Sequence, residues 1–311
     1  AALVSRIGPD GGRMLPLAML LFGACSYAMT FSLNRIAITE GIPTFPFVFW
    51  QGIIAGVVAL VAGLAMGQRP NLTGTYLRFY FIFGFVGLAL PYTLLALAAP
   101  KVPAGAVALT LTLSPILTYA FSILFKLDAI RLLRAAGIML GLAGILVMLA
   151  PGASLPEPGM APWLLLAFGS PVCYAFGSVT VVFLRPAGSQ PIPLTCGIAF
   201  ASAILMLPVM AAADSWWLFD GTMTEGDWSL IGGGALTAVF FVLGLEIIRM
   251  VGPVFFSTNG YIGPLAGMGW AALYFGEVPS PWIGLAVALL FAGLFLVNRS
   301  SRPVIRAGPG P

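Results

Sequence analysis

Apolar residues fill this chain in long unbroken runs, and polar residues collect in the short gaps between them. A helix of about 17 to 25 such residues matches the hydrocarbon thickness of a bilayer. Ten runs of that kind can be read, roughly at 14–33, 45–66, 76–98, 103–125, 133–150, 161–184, 193–213, 229–248, 252–275 and 279–297. Hydrocarbon offers no partner for backbone N–H and C=O groups, so each run is expected to be helix and not an isolated strand. The gaps carry Pro, Gly or charge, as in Gly67-Gln68-Arg69-Pro70 and Pro151-Gly152. The longest, Asp214 to Trp228, holds four acids and three Trp.

The runs also repeat. Val102–Met148 lies without a gap on Val251–Val297, pairing Pro115 with Pro264, Asp128 with Glu277, Ala143 with Ala292 and Gly144 with Gly293. Near the start of each half, Pro16, Phe22 and Gly23 pair with Pro162, Phe168 and Gly169, and Tyr27-Ala28 pairs with Tyr174-Ala175. Each copy holds five helices. Five is odd, so the second copy must enter the membrane upside down. The expectation is an all-α membrane protein whose ten transmembrane helices form two inverted five-helix repeats, residues 14–151 and 160–297. Residues 1–13 and 298–311 read as polar tails. Inverted repeats are a recurring plan of secondary transporters, with the substrate site near the midplane between the halves.

Charge sets the orientation. Only 8% of residues are charged, against about a quarter in soluble domains. With the N-terminus on side A, that side receives Arg6, Arg13, Arg69, Arg78, Lys126, Arg131, Arg134, Arg185, Arg249, Arg299, Arg302 and Arg306, while side B receives Arg35 and Lys101. The positive-inside rule then makes side A, with both termini, cytoplasmic. Trp163, Trp216, Trp217, Trp228 and Trp282 fall at side-B helix ends, where an interfacial belt is expected.

Intramembrane polar groups are costly unless they face the bundle interior or water. Helix 4 carries Thr110, Ser114, Thr118 and Ser122 at intervals of four, and its counterpart offers Ser257, Thr258, Asn259 and Tyr261. These faces either line a substrate path or bond back to their own helices. Trp50, Gln51, Tyr92 and Thr110 lie in the outer thirds of their helices, with Tyr27 and Tyr174 near the midplane. An aromatic cavity with a few hydroxyl and amide groups suits a flat organic side chain and would also hold an organic cation. Lipid contact or packing is the competing reading for each aromatic, and a belt position competes for Trp50. Pro115 and Pro264, at equivalent positions, are candidate hinges or static kinks. Gly137, Gly141 and Gly144 read as a close-packing seam. Glu246 and Arg249 read as a surface ion pair, and Asp128 and Glu277 as anchors of their turns.

The composition also excludes. Histidine is absent, and Cys25, Cys173 and Cys196 all lie inside apolar runs. No disulfide framework, metal spacing or cofactor motif is legible, and an intramembrane enzyme lacks a nucleophile–base or paired-acid constellation. No basic patch interleaved with aromatics points to nucleic acid. The span interiors contain no Lys or Arg of the kind a phosphorylated metabolite would call for.

Leu90-Pro91-Tyr92 through Ala96-Leu97, Val102 to Asp128, and Phe275-Gly276-Glu277 followed by Gly284 and Gly293 together resemble an EamA-type drug/metabolite transporter. The resemblance spans residues 14–297 and implies a two-fold pseudo-symmetric bundle that moves small organic metabolites. Within that family the chain is most similar to aromatic amino acid exporters of the YddG type, also associated with export of methyl viologen. It implies a multi-pass protein of the bacterial inner membrane, functional as a monomer. Its partners would be the lipid bilayer and a small-molecule substrate: aromatic amino acids, organic cations as the alternative, phosphorylated metabolites as the lesser one. One departure is Lys126-Leu127 before Asp128, where the family has Leu-Gly.

Overall fold

In the computed structural model, the described residues are 11–126, 132–149, 159–219, 221–251, 256, 259–278 and 281–299. Their secondary structure is helical throughout. In chain order the helices are α1 (Gly11–Thr39), α2 (Thr44–Ala65), α3 (Gly74–Ala98), α4 (Ala104–Leu124) and α5 (Leu132–Leu149). There follow α6 (Ala161–Ala167 continuing as Gly169–Leu184), α7 (Pro191–Ala212), α8 (Glu225–Val251), α9 (Asn259–Phe275) and α10 (Pro281–Arg299). Seven of them, α1 to α4 and α6 to α8, contain segments long and apolar enough to cross a membrane, and α5, α9 and α10 contain shorter apolar helices. Large side chains such as Phe22, Val61, Leu146, Phe183, Leu273 and Phe295 are exposed. That is the expected surface of a protein whose solvent is lipid.

Prolines shape three helices in one way. A proline lacks the N–H for its own i→i−4 bond, and its ring collides with the carbonyl one turn earlier. Before Pro91, α3 widens into a π-turn over Phe85–Ala89. Before Pro115, α4 tightens at Leu111 and Thr112, whose N–H groups reach the carbonyls of Ala108 and Leu109. Before Pro171, α6 breaks at Phe168. The repeat mate of Pro115 differs: Pro264 lies inside α9, which runs unbroken from Asn259 to Phe275.

Helices of the two halves interleave. α1 packs on α8 and α9, while α6 packs on α3 and α4. α2 packs on α8 and α3 on α7, and α2 also meets α7, α4 meets α9 and α5 meets α10. Exchanging each helix for the one five places along leaves this set of pairs unchanged. The α5–α10 seam shows the same exchange in atomic detail. A Cβ on Gly144 would lie 3.1 Å from the Ala286 carbonyl, and one on Gly293 only 2.5 Å from that of Gly137. Residues 137 and 144 correspond to 286 and 293 in the sequence repeat.

The turn after each repeat's fourth helix differs between copies. Gly276 ends α9 with φ +62°, a conformation glycine adopts without a Cβ penalty. In the first copy the left-handed residue is Lys126, φ 58°, which bears a Cβ and pays about 1 kcal/mol for the conformation. Asp128, Ser257 and Thr258 lie outside the described residues, as do the side chains of Arg249 and Tyr261.

Candidate functional site

Five helices contribute to one buried chain of hydrogen bonds. Gln51 of α2 donates its Nε2–H to Thr237 Oγ1 of α8 at 3.4 Å. Thr237 pairs with the Tyr92 hydroxyl of α3 at 3.0 Å. Tyr92 donates to the Tyr27 hydroxyl of α1 at 3.2 Å, and Tyr27 pairs with the Tyr174 hydroxyl of α6, also at 3.2 Å. One direction satisfies every link: Gln51 gives to Thr237, Thr237 to Tyr92, Tyr92 to Tyr27, and Tyr27 to Tyr174. A hydroxyl can donate and accept at once, which lets neutral groups continue such a chain without a charge. Tyr27 and Tyr174, equivalent in the repeat, therefore touch at its end. The Tyr27 ring stacks on Phe240 at 4.0 Å between centroids and meets Phe31 edge-on at 5.9 Å.

The chain leaves acceptors spare. Gln51 Oε1 and, one helix away, Asn34 Oδ1 have no hydrogen-bond partner among the described residues, although both residues are almost wholly buried. They flank Gly233 of α8, where a Cβ would lie 3.5 Å from Gln51 Nε2 and 3.7 Å from Asn34 Oδ1. Buried acceptors left unpaired are costly and uncommon in native proteins, and a ligand is one explanation of them.

From Asn34 the polar trail reaches the end of the bundle where α1 ends and α10 begins. Arg35 Nη1 donates to Glu277 Oε1, forming an ion pair. The same carboxylate accepts the N–H groups of Ala104 at 3.0 Å and Gly105 at 3.1 Å, at the start of α4. Arg35 also sits 4.5 Å above the Phe275 ring, a cation–π contact. Gly276 turns the chain so that Glu277 points back at α1 and α4. A small pocket lies against this latch, lined among others by Phe31, Asn34, Arg35 and Leu95.

Of the residues expected from sequence, Tyr27, Gln51, Tyr92 and Tyr174 are joined in the chain. Trp50 lies apart from it. Its Nε1 donates to the Trp217 carbonyl at 3.1 Å and its ring meets Phe219 edge-on, so it anchors the α7–α8 loop. Thr110 is buried and donates to Val107 of its own helix. Ser114 is half-buried, with its carbonyl accepting the Thr118 hydroxyl, and Ser122 donates to Thr118. Asn259 is half-buried with Oδ1 unpaired among the described residues. Gly267 lets α9 approach α4, since a Cβ there would lie 2.4 Å from that of Ala108. Thr237, Phe240 and Asn34 were not singled out in the sequence. A lone Thr in an apolar run carries no signal of its own, and Asn34 sits just past the end expected for the first helix. No group of three metal-ligating side chains occurs among the described residues.

Seven segments long and apolar enough to cross a membrane, with a neutral polar chain between them, mark a multi-pass membrane protein. Its kin are more specific. Residues 14–150 match the EamA-like transporter family. The chain is 27% identical to the uncharacterized inner membrane transporter YedA of Escherichia coli K12, over 94% of this chain and 95% of that one. It is 27% identical to protein PecM of Dickeya dadantii over 79% of this chain and 82% of that one. An uncharacterized transporter of Bacillus subtilis, YvbV, is 25% identical over 55% and 54%. A solved crystal structure shares the fold, with TM-score 0.60 at 22% identity over 89% of this chain and 94% of that one. The first half of the chain thus resembles EamA-like transporters, and most of its length is similar to proteins named as transporters; transport is the activity class these relationships support.

Proposed function

We propose that this protein exports small organic metabolites, aromatic amino acids first among them, across the bacterial inner membrane by alternating access. The observation that carries the reading is the buried chain from Gln51 to Tyr174, built from hydroxyl and carboxamide groups without a charge. Such a centre buries no charge of its own, so it takes an apolar aromatic ring without leaving a protein ion unpaired, and its hydroxyl and carboxamide groups offer donors and acceptors to the solute's polar end. Tyr27 and Phe240 stack directly on one another and bring aromatic surface to the end of this hydrogen-bonded chain. Tyr27, Gln51, Tyr92, Tyr174 and Asn259 are the binding residues of this centre, with Ser114 and Tyr261 as further candidates from α4 and α9.

The architecture proposed for this activity is ten transmembrane helices in two inverted repeats, 14–151 and 160–297, with both termini cytoplasmic. Support comes from the helix pairs that survive exchange of the halves and from the matching glycine contacts of the α5–α10 seam. Alternating access then follows by exchange of conformation between the halves, with Pro115 and Pro264 as bending points. The protein acts as a monomer.

Uptake of labelled phenylalanine and tryptophan into liposomes holding the purified protein tests this, with methyl viologen as competitor. Saturable flux is expected, reduced at least roughly tenfold by Tyr92→Phe or Gln51→Leu, the loss equivalent to about one buried hydrogen bond. A folded protein that moves neither amino acid would end the proposal. Strong inhibition by methyl viologen would favour a broader cargo range that includes organic cations, as the aromatic lining allows.

A further inference from the structure

The latch where α1 ends and α10 begins has the chemistry of an amino acid site that the protein fills with its own carboxylate. Glu277 is held there by the Arg35 guanidinium and by two backbone N–H groups, Ala104 and Gly105. One residue from Arg35, Asn34 is 3% exposed and keeps Oδ1 unpaired among the described residues. Both residues line the same small pocket, with Phe31 and Leu95 as its apolar wall. A cation beside a neutral acceptor and an apolar wall is complementary to the three parts of one solute: a carboxylate, an ammonium and a hydrophobic side chain.

We propose that Arg35 and Asn34 form an exit station for an α-amino acid, in which the substrate carboxylate replaces Glu277 on Arg35 and the ammonium donates to Asn34 Oδ1. The exchange opens the latch. Glu277 leaves the N–H groups of α4, and the contact between the α9–α10 turn and α1 is lost. One carboxylate for another keeps Arg35 paired throughout. A solute without a carboxylate must instead leave a partly buried guanidinium unpaired, which is unfavourable. Selectivity for carboxylates at exit therefore arises from the latch and not from the neutral centre. Gln51, beside Asn34 across Gly233, hands the ammonium from the centre to this station. The inference rests on the export reading above, and its test separates the two.

The test reads opening directly. Ala99 is 5% exposed and lines the latch pocket. Ala99→Cys is made in a protein whose Cys25, Cys173 and Cys196 are replaced, and its reaction with a membrane-impermeant thiol reagent is timed in nanodiscs. Phenylalanine is expected to speed labelling about tenfold, 3-phenylpropionate less, and phenylethylamine not at all. Glu277→Gln should give fast labelling without any ligand, and Glu277→Asp should restore the dependence in part. Asn34→Leu should abolish the advantage of phenylalanine over 3-phenylpropionate. Labelling that ignores Glu277→Gln, or that phenylethylamine speeds as well as 3-phenylpropionate, overturns the station. If carboxylates open the latch but liposomes show no amino acid flux, the station stands and the cargo falls. If flux is present and labelling ignores Glu277→Gln, the cargo stands and the station falls.

Discussion

Two of the contacts between the halves of this molecule are made in opposite ways. At the α5–α10 seam the backbones nearly touch: glycines at 144 and 293 bring each helix onto the carbonyls of the other. At the centre, Tyr27, Tyr92 and Tyr174 hold α1, α3 and α6 together through hydroxyls at 3.2 Å. Close backbone packing has steep repulsion on one side and lost dispersion on the other, so it behaves as a fixed joint. A hydrogen bond between hydroxyls can be exchanged for one to a solute at small net cost. The difference assigns the seam to stability and the centre to turnover.

The comparison is breakable, and the largest effect should come at the seam. Gly293→Leu would drive a side chain into the Gly137 carbonyl and should destabilise the protein by about 3 kcal/mol, seen as a marked fall in melting temperature in detergent. A melting temperature unchanged by this substitution would refute the fixed-joint reading. Tyr92→Phe removes the hydroxyl that links Thr237 and Tyr27. It should cost about 1–2 kcal/mol of stability and a larger share of transport, measured side by side on one preparation. Equal losses of both would leave the centre no different from ordinary core. Gly276→Ala puts a Cβ at φ +62°, for about 1 kcal/mol, and should mainly loosen the Glu277 turn, read as faster hydrogen exchange at Ala104 and Gly105. The smallest effect is expected from Trp50→Phe, which loses one bond to the Trp217 carbonyl at the loop. Below about 1 kcal/mol is expected, with amino acid flux unchanged; a large loss of flux would draw Trp50 back into the substrate path.

The polar stripe of α4 shows why spacing alone does not assign a function. Thr110, Ser114, Thr118 and Ser122 recur every four residues as a path lining would, and the hydroxyls of Thr110, Thr118 and Ser122 donate to carbonyls of their own helix. A hydroxyl in an apolar helix always has that local partner within reach, so its presence does not by itself require a ligand. Tyrosine does. Its hydroxyl lies too far from its own backbone to be satisfied there, so a tyrosine in a span points to a distant partner.

From the sequence alone came the helical class, the membrane solvent, and the pairing of Tyr27 with Tyr174 through the repeat. Run length, hydrocarbon chemistry and periodic proline, glycine and acid positions are local properties, written one residue after another. Tertiary structure alone decided that Thr237 closes the chain between Gln51 and Tyr92, that Trp50 turns to the loop, and that Glu277 reaches Arg35. These contacts join residues 145 to 242 positions apart. Their partners are set by how helices are rotated and stacked, and that rotation is fixed by glycine seams and proline breaks acting across the whole bundle.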